Sequence, residues 1–218
     1  MTSTDKNQQF TFENSETLRQ IMNARRDVRG NRFLPTPIHQ EELDKIYAAA
    51  LSAPSVGFSQ PWEFITITDR AVRQTIADSF STENDKASIM FDAQKSQQYQ
   101  SLKLEGILQS PLNIAVFYNP KKGPVLGQTS MPEMGRYSVV CAVQNMWLMA
   151  RSLNIGIGWV SIVNPEHVKT ALYAPQDREL IAYLCVGYVD KFYDKPELET
   201  LNWEARKQAQ QVILNGSY

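Results

Sequence analysis

Two cysteines and two histidines in 218 residues leave little from which to build a metal cluster or a disulfide framework. Cys141 and Cys185 each sit inside an apolar stretch, so buried thiols in a reducing cytoplasm are expected rather than a bridge. His39 and His167 stand far apart, and neither has a serine or cysteine placed as a nucleophile beside its base. Surface or helix-capping positions are expected for both. An excess of charge is also missing, with 22 Lys and Arg against 23 Asp and Glu and a net charge of −1. That argues against broad binding to nucleic acid or to an anionic membrane, because no basic surplus would release counterions. The most apolar run, YSVVCAVQNMWLMA (137–150), is too short and too polar to span a bilayer, which takes roughly 20 apolar residues. The opening MTSTDKNQQF shows neither the basic nor the apolar region of a signal peptide, so a cytoplasmic location is expected. No Walker loop, zinc spacing or Gly-x-Ser-x-Gly elbow is found.

What is present is an ordinary globular composition, 43% hydrophobic and 21% charged, in a chain long enough to bury one core. Residues 1–13 read as a loose arm and 14–218 as one domain. Ser15 is placed to cap a helix over 15–24, where Leu18, Ile21 and Met22 share a face. A second helix spans about 39–52 and is stopped by Pro54. WEFITIT (62–68) alternates as a strand should. Helical patterns over 69–80 and about 84–109 follow. The second is polar through DAQKSQQYQ, so an excursion over about 82–109 reads as a lid rather than core. LNIAVFY (112–118), GIGWVSIV (156–163) and LIAYLCVGY (180–188) are strands, and 136–153 is a helix with a wide apolar stripe. Asn164-Pro165-Glu166 opens a short helix. An irregular extension from about 190 to 218 carries a weak helix near 203–211. Strands separated by helices predict a layered α/β or α+β domain.

Three stretches carry candidate chemistry. Gly156, Gly158 and Ser161 approximate a dinucleotide fingerprint, but they follow a helix and enter a strand, the reverse of the order that motif requires. Glycines there still permit close backbone approach to a ligand. APSVGFSQPWEF (53–64) is either a plain helix-to-strand connection or a cradle of backbone and amide groups for a planar heterocycle. NARRDVRGNRF (23–33) sets Arg25, Arg26 and Arg29 around the single carboxylate of Asp27 at a helix end. Arginines there suit the helix dipole, and they equally suit capture of a phosphate by paired charge-assisted hydrogen bonds, with Arg206 as a further ligand.

Taken together and in order, RRDVR (25–29), APSVGFSQPW (53–62), SLKLEGI (101–107), PEM-x-x-YS-x-VCAVQN (132–145) and GIGWVSI (156–162) resemble the nitroreductase-fold flavoproteins. Within them they resemble the 5,6-dimethylbenzimidazole synthases, over about residues 15–206. The basic motif is shared with ordinary nitroreductases, which commonly have serine where this chain has Asp27. The resemblance implies an α+β three-layer fold, with a mixed, mainly antiparallel sheet flanked by helices, in a domain-swapped homodimer holding FMN at the subunit interface. It implies that Arg25, Arg26, Arg29 and Arg206 serve the phosphate, and that Ser55, Gly57, Gln60, Leu104, Val160 and Ser161 lie near the flavin. It further implies that reduced FMN, delivered by a separate flavin reductase, is itself the substrate. Dioxygen fragments it to 5,6-dimethylbenzimidazole and erythrose 4-phosphate, with Asp27 and Ser161 as the catalytic residues. Asp27, flanked by arginines, is expected to be ionised at neutral pH. Two rivals remain open: an NAD(P)H-dependent nitroreductase whose FMN survives turnover, and a non-catalytic binder of reduced flavin. The chain departs from the pattern at Gly135, where an acid is usual, and in the tail KQAQQVI after Arg206.

Overall fold

A computed structural model describes residues 8–217. Four strands, β1 (Trp62–Ile67), β2 (Leu112–Tyr118), β3 (Ile155–Val160) and β4 (Glu179–Tyr188), form one sheet in the order β1-β2-β4-β3, every neighbouring pair antiparallel. The only parallel pairing among the described residues is a single bridge from Asp27 to Ile157 on the free side of β3. Because side chains alternate along a strand, the central strands feed two cores. Leu112, Ile114, Val116, Ala182, Leu184 and Val186 point to one face, and Ala115, Phe117, Tyr183 and Cys185 to the other. The first face is covered by α2 (Gln40–Leu51) and α5 (Met134–Ser152), the second by α3 (Arg70–Ser88) and α6 (Pro165–Ala171). The result is the expected α+β arrangement of three layers. Among the described residues, no helix is long and apolar enough to cross a membrane.

Helix α1 runs Phe12–Ala24 and starts earlier than expected, since Thr11 and Asn14 close a capping box while Ser15 donates to the Phe12 carbonyl instead. The arm read at 1–13 is therefore shortened by helix at Phe12 and Glu13, and its residues 1–7 lie outside the described residues. α1 buries no residue in this chain, although Phe12, Leu18 and Met22 are large and apolar. α5 likewise carries two stripes. Val139, Ala142, Val143, Met146 and Ala150 enter the core, while Tyr137, Val140 and Cys141 face outward. Cys141, expected to be buried, is thus exposed. Only Cys185 is enclosed, and burial pushes its thiol up to about 12.

The lid region differs from the two helices expected there. α3 continues to Ser88, and α4 (Ala93–Ser101) begins anew because Asp92 caps it by accepting from the Lys95 N–H at 2.9 Å. The weak helix expected near 203–211 reduces to a 3-10 turn at Ala209–Gln211, after a short helix α7 (Glu197–Thr200).

Candidate active site

Helix α1 ends at Ala24, and Arg25 takes an extended backbone that turns the chain along the free edge of β3. The last turn is held from α5: Arg151 Nε donates to the Ala24 carbonyl at 2.9 Å, and Trp147 Nε1 donates to the Arg26 carbonyl at 3.2 Å. The Val28 N–H then bonds the Ile157 carbonyl at 3.0 Å. This docking depends on Gly158, because a Cβ built there lies 2.0 Å from the Val28 carbonyl oxygen. The glycines of GIGWV thus admit the Asp27–Arg29 segment, where close approach of a ligand was expected.

Docking aims Asp27. Its Oδ1 accepts from the Trp159 N–H at 2.9 Å, and its Oδ2 pairs with Arg29 Nη2. Arg29 Nη1 also donates to the Leu104 carbonyl at 3.0 Å, which ties the loop after α4 to the same point. Arg25 lays its guanidinium over the Trp147 ring, 4.7 Å from the centroid. These groups line a cavity of about 140 Å³, roofed by Leu102, Lys103 and Leu104 from the lid and by Tyr193 and Pro196–Leu198 from the C-terminal extension. The roof is fastened by aromatic packing. Trp203 stands edge-on to Phe91 at 5.3 Å and close to Tyr99 at 6.3 Å. Gln98 also donates to the Leu201 carbonyl at 2.7 Å. Of the stretch read as a lid at 82–109, Leu102, Lys103 and Leu104 line this cavity.

Burial pushes the Asp27 carboxyl up from its ordinary value, opposed by Arg29, the Trp159 N–H and Arg25, and reinforced by Glu197. This reverses the direction expected from the arginines alone. The arginines were legible as neighbours, but the cost of enclosing the carboxylate outweighs them. By the same sign, ionisation of Asp27 opposes folding. Its stabilising contribution is full below the ordinary value of 3.8 and is lost as pH rises through the higher native value.

The other expected residues fall into three groups. Arg26 is turned to the backbone: Nε donates to Tyr193 O at 2.9 Å, Nη1 to Asn23 O and Arg25 O at 2.6 Å each, and Nη2 to Asp194 O. It pins the C-terminal extension, where phosphate pairing was expected. Arg26→Ala is accordingly expected to make that extension sensitive to protease while weakening FMN binding less than Arg25→Ala. Limited proteolysis beside an FMN titration would check this. Ser161 is exposed just past β3, about 7 Å of extended chain beyond the Trp159 N–H that holds Asp27. Val160 is 2% exposed with its side chain in the core, so only its backbone can meet a ligand. Ser55, Gly57 and Gln60 lie elsewhere. Ser55 Oγ accepts from the Gln60 N–H at 3.1 Å, and the Val56 N–H bonds Ser138 near the start of α5. Nine residues, about 13 Å of helix, separate Ser138 from Trp147. Arg206 is the clearest correction: it pairs with Glu199 at 3.1 Å, is 67% exposed, and does not line the cavity. The tail beyond Trp203 is exposed, and Arg206 stands near Arg26 without reaching the cavity. Lys103 and Glu197 line the cavity without having been singled out. Lys103 stands inside the quoted SLKLEGI, whereas Glu197 has no local signal.

The chain matches the Nitroreductase family model over residues 22–188. It is 43% identical over 185 residues to a 5,6-dimethylbenzimidazole synthase of Rhodospirillum rubrum, covering 84% of this chain and 87% of that one. It is 35% identical over 197 residues to a 5,6-dimethylbenzimidazole synthase of Rhodobacter capsulatus, covering 89% and 94%. Among solved structures, iodotyrosine deiodinase bound to FMN and 3-iodo-L-tyrosine superposes with a TM-score of 0.72 at 21% identity, covering 92% of this chain and 99% of that one. That likeness is one of fold. The chain belongs to the nitroreductase family and, within it, to the 5,6-dimethylbenzimidazole synthases.

Proposed function

We propose that this protein fragments reduced FMN with dioxygen, giving 5,6-dimethylbenzimidazole and erythrose 4-phosphate. The observation that carries this reading is the Asp27 carboxyl, held by the Trp159 N–H and Arg29 at the wall of an arginine-lined cavity. Bound FMN would supply the ring that reacts with dioxygen and the ribityl bonds that break.

The residues fit such a ligand. Arg25 stacks its face on Trp147, which leaves its N–H edge for an anion, and Lys103 adds a point charge from the roof. A phosphate dianion would complete the balance of Arg25, Arg26, Arg29 and Lys103 against Asp27 and Glu197. The cavity, at about 140 Å³, is smaller than the roughly 300 Å³ at which ligand pockets begin. It suits a phosphate and part of the ribityl chain, with the flavin ring at its rim. The outward stripes of α1 and α5, with Phe12, Leu18, Met22, Tyr137 and Val140 exposed, support a second copy closing that rim. Ser55, Gly57 and Gln60 of one copy would then reach the flavin held by the other. Ser161, near the rim, would hold or move a proton beside the flavin ring. The lid and the C-terminal extension exclude water, which strengthens every charge interaction beneath them. A separate reductase supplies reduced FMN in the cytoplasm.

Asp27 acts as a base only when ionised, and its carboxyl titrates above the ordinary 3.8. The rate of benzimidazole formation is therefore expected to rise with pH through a midpoint above that value, a limb that single-turnover rates against pH would read. The reaction itself is tested by giving the protein reduced FMN and air. Loss of flavin in step with benzimidazole formation is expected. Surviving FMN with turnover of a nitroaromatic would make the protein an ordinary nitroreductase, and tight binding without product a flavin carrier.

A further inference from the structure

We propose that Glu197 is a positioning residue of this site, carried into the Asp27 cavity by the C-terminal extension, where its negative charge makes Asp27 a better proton acceptor. The proposal rests on the reading of Asp27 as the base, and on the following geometry.

Glu197 is the first residue of α7 and lines the same small cavity as Asp27. The charged groups around Asp27 come from every element that walls it. Arg25, Arg26 and Arg29 belong to its own segment, Lys103 to the lid, and Glu197 to the C-terminal extension, with Tyr193 the other titratable group on that wall. From β3 it receives only the Trp159 N–H. Cations and the N–H all favour the unprotonated form, while burial favours the protonated one. Glu197 is the one carboxylate besides Asp27 that lines the cavity, and a negative charge there acts with burial against the cations.

Its delivery is built in. Arg26 holds the carbonyls of Tyr193 and Asp194 just before α7, and Trp203 just after it is held by Phe91, Tyr99 and the cation of Lys95, 4.9 Å from the ring. Fixed on both sides, α7 keeps Glu197 on the cavity wall while the roof is closed. A second carboxylate facing the phosphate cations would weaken anion binding slightly, so its place there fits a role toward Asp27 rather than toward FMN affinity.

The test is a titration of the Asp27 carboxyl by carbon NMR in the flavin-free protein, in the wild type, Glu197→Gln and Glu197→Asp. Glu197→Gln is expected to lower proton affinity at Asp27 roughly three- to tenfold, on the order a unit charge several ångströms away exerts. Glu197→Asp should restore most of it, with FMN binding no weaker in either. The pH–rate limb of benzimidazole formation should move to lower pH in Glu197→Gln, with a lower plateau in kcat and little change in KM. An Asp27 midpoint that does not move in Glu197→Gln overturns the proposal. So does an equal movement in Glu197→Asp, which would show packing rather than charge. If the midpoint moves as stated but Asp27→Asn remains an active synthase, the role of Asp27 in the reaction fails and the proposed role of Glu197 falls with it.

Discussion

Asp27→Asn is expected to slow benzimidazole formation at least ~100-fold while FMN still binds within several-fold of the wild type. The separation follows from how the side chain is held. An asparagine keeps the shape, and its amide oxygen can still accept from the Trp159 N–H, so the segment alongside β3 stays docked. What is lost is the proton acceptor and the ion pair to Arg29. Arg29 does not drift, because the Leu104 carbonyl still takes its Nη1. Freed from Asp27, its remaining N–H groups become more available to a phosphate. A single-turnover assay with reduced FMN and air, beside an FMN titration, reads both halves. An active variant would remove Asp27 from the chemistry. Equal losses of binding and turnover would make its role structural.

Which parts of this site could be read from the sequence depends on how local their causes are. LNIAVFY became β2 over the residues expected, and Asn164 caps α6 through the Glu166 and His167 N–H groups, because alternation and capping are decided within a few residues. The proximity of Arg25, Asp27 and Arg29 was legible for the same reason. Their different fates were not. Arg26 is chemically the same as its neighbours, and although it lines the cavity, the carbonyls of Tyr193 and Asp194, some 167 residues on, take up its N–H groups. The upward pull of burial on the Asp27 carboxyl was not legible, since sequence shows the arginines and hides the packing. The break between α3 and α4 belongs to a lid whose Phe91 and Tyr99 are packed against Trp203, a contact without sequence periodicity. Glu197 is the extreme case, an acid in an irregular tail that acquires a role only where the fold returns it.

Gly158→Ala is expected to destabilise the protein by about 1–3 kcal/mol and to cost ~100-fold or more in turnover, although residue 158 does not line the cavity. An ideal Cβ there would sit 2.0 Å from the Val28 carbonyl oxygen, closer than real Cβ contacts come. The obstacle is backbone, so no rotamer relieves it. The Val28 segment must retreat from β3 by about an ångström or more, stretching the 3.0 Å bond from the Val28 N–H to Ile157 and the 2.9 Å bond from Trp159 to Asp27. Arg25 and Arg29 move with it, so FMN affinity should fall together with the rate, unlike the outcome for Asp27→Asn. Gly156→Ala supplies the contrast. Its Cβ would meet side-chain methyls, Val189 Cγ1 at 2.6 Å and Val28 Cγ2 at 2.9 Å, which can rotate aside. It should therefore cost less in a urea midpoint and leave the Asp27 bond in place. If Gly158→Ala instead unfolds at the wild-type midpoint and turns over normally, the docking of the arginine segment on β3 is not what builds this site.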